Sequence, residues 1–391
     1  MIDTNLLLVI ALILLSTKAL SIFVRKIHMP QIIGALVAGV VLGPAMFGII
    51  KPNEFISTIA EFGVILLLFY AGMETDFKQL KNSLKASLLI AVLGVVAALG
   101  GGFAVTFLFG KPSFESFFIG VVIASTSVSI TVEALQEMGK LKTKSGTAIM
   151  GAALCDDILV IIMLAVVMGM GVSESGFTIS SIAIILLKIA AFFVFAIIAG
   201  IGVNKLFNFM FDRFGETRRL TVFAIAYCFI MAYLAELFGL AGITGAYIAG
   251  IVFCNTHCIK YLEIKTNSLS YMFFTPVFLV NIGLQMSLDG LTGNMILFTV
   301  LLVVATILSK VIGCGLGAKI CKYTNRESMQ IGVGMIARGE VSFIVASKGI
   351  VVGYISSQLF PSIIVAVLIT VLITPLLLKA VYARDVQTKL E

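Results

Sequence analysis

Apolar stretches long enough to cross a lipid bilayer follow one another along almost the whole chain, and no other feature constrains its fold as tightly. The hydrocarbon core is about 30 Å thick, which a helix rising 1.5 Å per residue crosses in about twenty residues. Splitting the 391 residues at charge clusters and Pro/Gly punctuation predicts about thirteen spans, near 5–24, 30–49, 55–73, 84–110, 114–137, 145–170, 176–206, 217–237, 240–256, 267–288, 291–320, 327–350 and 354–382. Such a chain cannot hide its apolar surface in a globule. Hydrophobic residues make up 60% of it and charged ones 12%, against about 25% in a soluble domain. That excludes a soluble enzyme, a disordered chain and a nucleic-acid-binding module. The expected fold class is an all-α polytopic membrane protein.

The first segment reads as a span and not as a cleaved leader, because Met1-Ile2-Asp3-Thr4 has no basic run and the apolar stretch continues to Val24. The tail after Val381 is too short for an appended nucleotide-sensing domain. Six cysteines without framework spacing predict free thiols. With the N-terminus outside, twenty Lys and Arg fall in inner loops and two, Lys51 and Lys111, in outer ones. That asymmetry predicts an external N-terminus and a cytoplasmic C-terminus in the cell membrane, and it accounts for the net charge of +7.

Thirteen spans divide as six, one and six, with 176–206 as connector, so that helices seven apart cross in opposite directions: two inverted repeats. Two spans in matching slots look interrupted and are expected to be crossing broken helices. One carries Ser125-Thr126-Ser127-Val128-Ser129-Ile130-Thr131, five hydroxyls in seven residues; the other carries Ala337-Arg338-Gly339-Glu340-Val341-Ser342. Polar backbone at membrane depth is tolerated only where it lines a cavity or is buried in protein. The plainer reading is hydroxyls bonding back to their own helix.

Glu61, Glu133, Asp156, Asp157, Glu236, Lys310, Arg338 and Glu340 fall inside spans, where a charge costs several kcal/mol unless paired or wet. Asp156, Asp157, Thr126, Lys310 and Arg338 all lie about ten to twelve residues from the inner ends of their spans, near the midplane. Adjacent aspartates on a helix point roughly 100° apart and cannot serve one partner equally. The economical arrangement neutralises one with Lys310 and leaves the other to bind a cation; the alternative is a pair of ion bridges joining helices. Glu133 either sits in a cytoplasmic funnel or pairs with Arg338. Charge counting over the two aspartates and the lysine favours two protons per cation, hence voltage-dependent transport. An intramembrane aspartyl protease needs aspartates facing each other from different helices, and a channel needs a continuous polar filter; neither pattern is present. Cys254, His257 and Cys258 make a weak metal motif, and Gly39-x-x-x-Gly43 and Gly313-x-x-x-Gly317 are close-packing patterns.

Ile149-Met150-Gly151-Ala152-Ala153-Leu154-Cys155-Asp156-Asp157 resembles the aspartate-pair helix of bacterial sodium/proton antiporters of the NapA type, in the second monovalent cation:proton antiporter family. Met29-Pro30-Gln31-Ile32-Ile33-Gly34, Leu68 to Asp76, Thr126 to Thr131, Pro276-Val277-Phe278, Lys310 and Arg338-Gly339-Glu340 extend the likeness along the chain. The resemblance implies a homodimer with scaffold helices in 1–83 and 207–290, ion-carrying core helices in 84–170 and 291–391, and a connecting helix in 171–206. It implies Asp157 as main ion and proton carrier, Asp156 paired with Lys310, and oxygens from Thr126 and Ser127 beside the ion; Glu133, Arg338, Glu340 and Ser129 are secondary candidates. The function implied is exchange of cytoplasmic sodium or lithium for external protons by alternating access, without a resident cofactor. The alternative within the family is potassium/proton exchange.

Overall fold

The structure is a computed structural model that describes every residue except 1–3, 27–30, 76, 173–178, 216–217, 287–292 and 388–391. In chain order the helices are α1 (Thr4–Lys26), α2 (Gln31–Leu42), α3 (Glu54–Glu74), α4 (Phe77–Leu108), α5 (Ser113–Ala124), α6 (Val128–Glu137), α7 (Lys144–Val172) and α8 (Ile179–Phe214). They continue as α9 (Arg218–Leu237), α10 (Gly242–Phe253), α11 (Ile259–Leu269), α12 (Thr275–Leu284), α13 (Gly293–Ile320), α14 (Asn325–Gly334), α15 (Glu340–Val351) and α16 (Phe360–Gln387). No strand occurs among the described residues.

Among the described residues, ten helical segments are long and apolar enough to cross a membrane. Several of the other expected spans are short or broken among the described residues. The expected span 30–49 stops at Leu42, because Gly43-Pro44 follows and proline cannot extend a helix. Helix α10 is equally short at 12 residues, and the span expected at 327–350 is two pieces of 10 and 12 residues. The span expected at 267–288 begins earlier, at Ile259, and contains a π-helical turn over Ser270–Phe274 ahead of Pro276.

The chain forms two compact units, neither contiguous in sequence: Met1–Pro52 with Asn82–Val172 and Leu279–Glu391, and Asn53–Lys81 with Ser173–Phe278. In the first, Phe118, Val121 and Val122 of α5, Phe298 and Leu302 of α13, Val345 of α15 and Ile363 and Val367 of α16 form one apolar cluster. Burying these side chains, at about 1.5–3 kcal/mol each, packs α5 and α15 against α13 and α16. At the other end of α14 the Thr324 hydroxyl accepts the Glu327 N–H while the Glu327 carboxylate accepts the Thr324 N–H, a reciprocal cap. Lys144 Nζ, at the start of α7, lies 3.3 Å from that carboxylate.

A short sequence motif recurs in the second and ninth of the expected spans, one in each unit. Ile32-Ile33-Gly34-Ala35-Leu36-Val37-Ala38-Gly39 recurs as Ile243-Thr244-Gly245-Ala246-Tyr247-Ile248-Ala249-Gly250. In the first unit Gly39 of α2 packs on Val280 O and the Gly283 Cα of α12; in the second, Gly250 of α10 packs on Phe69 O and the Gly72 Cα of α3. Each unit therefore holds one helix crossing assembled from both halves of the chain, and the same glycines make it.

Candidate functional site in the broken-helix unit

All the site residues expected from the sequence belong to the first unit. The first break is Ser125–Ser127, between α5 and α6, with extended backbone at both Ser125 and Ser127. The second is Met335–Gly339, between α14 and α15. Polar groups freed by one break are satisfied by the other. The Ser127 N–H donates to Ala337 O at 2.8 Å, Ser125 Oγ meets Ser342 Oγ at 2.6 Å, and the Thr131 hydroxyl donates to Gly334 O at 2.8 Å. The hydroxyl run therefore does more than bond back to its own helix. Gly339 has to be glycine for this crossing, since a Cβ there would lie 2.6 Å from Ser127 Oγ.

Helix α7 carries Asp156 and Asp157. Leu159, one turn on, packs against Ala98 of α4 and Ala124, the last residue of α5, which brings the aspartate turn beside the first break. Asp156 is fully buried, and its Oδ1 accepts a hydrogen bond of 2.6 Å from Lys310 Nζ, which is also fully buried, on α13. The expected contact between these side chains is present. Gly94 of α4 makes room for Cys314, one turn beyond Lys310 on α13: a Cβ there would overlap Cys314 Sγ, and would be in ordinary contact with Lys310 Cδ at 3.5 Å. Asp157 is 5% exposed where Asp156 is 0%. Both are buried, and on successive residues their side chains leave the helix about 100° apart.

Arg338 is the largest fully buried side chain. Its Nη1 donates to Thr126 Oγ1 at 3.1 Å and to Met335 O at 3.4 Å, and its backbone N–H donates to Thr370 Oγ1 of α16 at 3.2 Å. Ser127 Oγ meets Ser129 Oγ at 3.2 Å. Glu133 on α6 is 2% exposed. Glu340 opens α15, and its side chain lies outside the described residues. Gly94, Cys314 and Thr370 also border the site, and sequence reasoning missed them; the one signal that could have found Cys314 is its place one turn beyond Lys310 on α13.

His257, part of the weak metal motif, belongs to the second unit, where its Nδ1 lies 3.1 Å from Asp212 Oδ1. None of the six cysteines is joined in a disulfide. Chemically the first unit offers two carboxylates, hydroxyls and backbone carbonyls, with an ammonium and a guanidinium to balance them. Hard oxygen donors of this kind suit an alkali cation and protons better than a soft metal.

Residues 9–384 match the family model described as the transmembrane sodium/hydrogen exchanger. The chain is 38% identical over 379 residues to the Na(+)/H(+)-K(+) antiporter GerN of Bacillus cereus, covering 96% of each chain. It is 32% identical to a Na(+)/H(+) antiporter of Enterococcus hirae, covering 95% of this chain and 96% of that one. Its fold resembles that of the sodium proton antiporter MjNhaP1 of Methanocaldococcus jannaschii, with a TM-score of 0.71 at 18% identity over 96% of this chain and 95% of the other.

Proposed function

The chain belongs to the sodium/hydrogen exchanger family of multi-pass membrane proteins, and on that premise we propose that it exchanges cytoplasmic sodium or lithium for external protons by alternating access. The observation that carries the reading is the 2.6 Å contact between Lys310 and Asp156. With the ammonium committed to Asp156, we assign the cargo to Asp157, where sodium and protons compete. Ser127, the backbone carbonyls of the first break and Asp156 Oδ2 complete the candidate oxygen set, with Thr126 beside them.

A bare carboxylate is costly to carry through hydrocarbon. A core loaded with a proton or a cation crosses in preference to an empty one, and competition for one carboxylate then gives antiport without a separate proton pathway. The segments 84–170 and 291–391 both lie in the first unit, which we assign as the ion-carrying body. The basic-loop asymmetry orients the N-terminus outward, and we take the working state to be a homodimer in the cell membrane. GerN is named for potassium as well as sodium, so potassium is the cation to compare.

Asp157→Asn tests the reading. In proteoliposomes the wild type should release protons on addition of sodium, and the mutant, folded by its melting profile, should not. Robust sodium-driven proton flux in that mutant would overturn the assignment.

A further inference from the structure

We propose that Arg338 is the positioning residue of the cation site: it, and not the ion, occupies Thr126 Oγ1, and through that bond it sets the geometry of the first break. The inference rests on the antiport reading above and sharpens which oxygens can serve the cargo.

Three consecutive residues of the second break act on two consecutive residues of the first. Ala337 O takes the Ser127 N–H at 2.8 Å, Arg338 Nη1 donates to Thr126 Oγ1 at 3.1 Å, and Gly339 leaves the space that Ser127 Oγ fills. The guanidinium is itself held at both ends of its reach. Its backbone is tied to Thr370, which in turn donates to Val367 O at 2.6 Å. Its Nη1 also donates to Met335 O, at the C-terminal end of α14, where the helix carbonyls favour a cation. Nε and Nη2 have no hydrogen-bond partner among the described residues, although the whole side chain is buried.

A hydroxyl oxygen that accepts from a guanidinium is a poor ligand for a second cation. One of its two lone pairs is taken, and sodium bound at the other would sit within a few ångströms of a fixed positive charge in a medium that screens weakly. The ligands from the first break are then Ser127 and backbone carbonyls, whose directions depend on where Arg338 pins Thr126. Arginine suits this task because its planar fork is rigid and stays charged, whereas a lysine offers a single mobile point of contact.

The test is a double-mutant cycle on Thr126→Val and Arg338→Gln, read as the KM for sodium and the maximal sodium-driven proton flux in proteoliposomes. Loss of one charge-assisted hydrogen bond corresponds to about a tenfold change. Arg338→Gln should raise KM by about that factor, and Thr126→Val should raise it as well. The double mutant should be no worse than Arg338→Gln alone, because both changes break one linkage. Effects that multiply would mean Thr126 binds the ion in its own right and would overturn the proposal. A purely structural arginine would lower the melting temperature and the maximal flux while leaving KM unchanged, which would overturn it equally. If Arg338→Gln does not fold, Arg338→Lys takes its place in the cycle, with a smaller expected rise in KM and the same non-additivity. Exchange surviving Asp157→Asn would sink the antiport site itself, whereas a multiplicative cycle beside an inactive Asp157→Asn sinks only the role of Arg338.

Discussion

Lys310 and Asp156 are joined by 2.6 Å, and each has no exposed side-chain surface. Such a pair is weak evidence of stability in itself, because desolvating both charges offsets much of their attraction. Breaking it from one side is another matter, since the remaining carboxylate is left buried without its counter-charge. Lys310→Ala should therefore lower stability by about 3–5 kcal/mol, read as a markedly lower melting temperature in detergent at neutral pH. Adding Asp156→Asn in that background should recover part of the loss, because the unpaired charge is then gone. An unchanged melting temperature in Lys310→Ala would show that the pair contributes nothing in the resting protein. Both members were legible in the sequence, since their depth along their spans placed them at one level. The close approach of α4 beside them was not: Gly94, which leaves space for Cys314 Sγ, is one glycine among 36, and only the packing of α4 on α13 distinguishes it.

Elements of this protein meet through glycines whose missing side chains allow backbone to touch backbone. At Gly250 a Cβ would lie 2.8 Å from the Gly72 Cα and closer still to Phe69 O, so α10 would have to move off α3. Gly250→Ala should cost about 1–3 kcal/mol, the usual range for overpacking a tight contact. Gly202 is the control. It lies on the exposed side of α8 with nothing within 4 Å of a Cβ built there, and Gly202→Ala should leave stability unchanged or raise it by about 0.5–1 kcal/mol through lower chain entropy. Equal melting shifts for the two variants would refute the close-approach account. The broken helices were visible as elements because hydroxyls and an Arg-Gly-Glu run interrupt otherwise apolar spans. The short α2 and α10 were not, since flanking apolar residues masked where each helix stops.

For the whole molecule the consequence of the site is electrical. With Lys310 charged and both aspartates ionised, the three groups carry −1, and one sodium neutralises them. If sodium loading lets Lys310 release its proton, and the return leg carries protons on Asp157 and Lys310, two protons are exchanged for one sodium. Arg338 adds the same fixed charge to both legs and leaves the difference at one elementary charge per cycle. Moving that charge across 100 mV is worth about 2.3 kcal/mol, so sodium-driven proton flux should change strongly when a potassium–valinomycin clamp imposes a potential. Flux indifferent to the potential would rule out the two-proton scheme and leave one-for-one competition at Asp157.

Composition and the length of the apolar stretches determined by themselves that this chain is helical and spans a membrane, because only helices and closed barrels satisfy their backbone within lipid, and barrel strands alternate apolar with polar residues over about ten positions instead of running apolar for about twenty. The same reading located two interruptions and the acids at mid-depth, since a charge or a hydroxyl run inside an apolar span stands out against its neighbours. Tertiary structure alone decided who partners whom. The packing of Leu159 on Ala124 brings α7 to the first break, Arg338 reaches Thr126 from 212 residues away, and the two units are assembled from pieces that alternate along the chain. Such contacts depend on how helices cross, which glycines and small side chains set in three dimensions, and a one-dimensional pattern of hydropathy carries no record of the crossing.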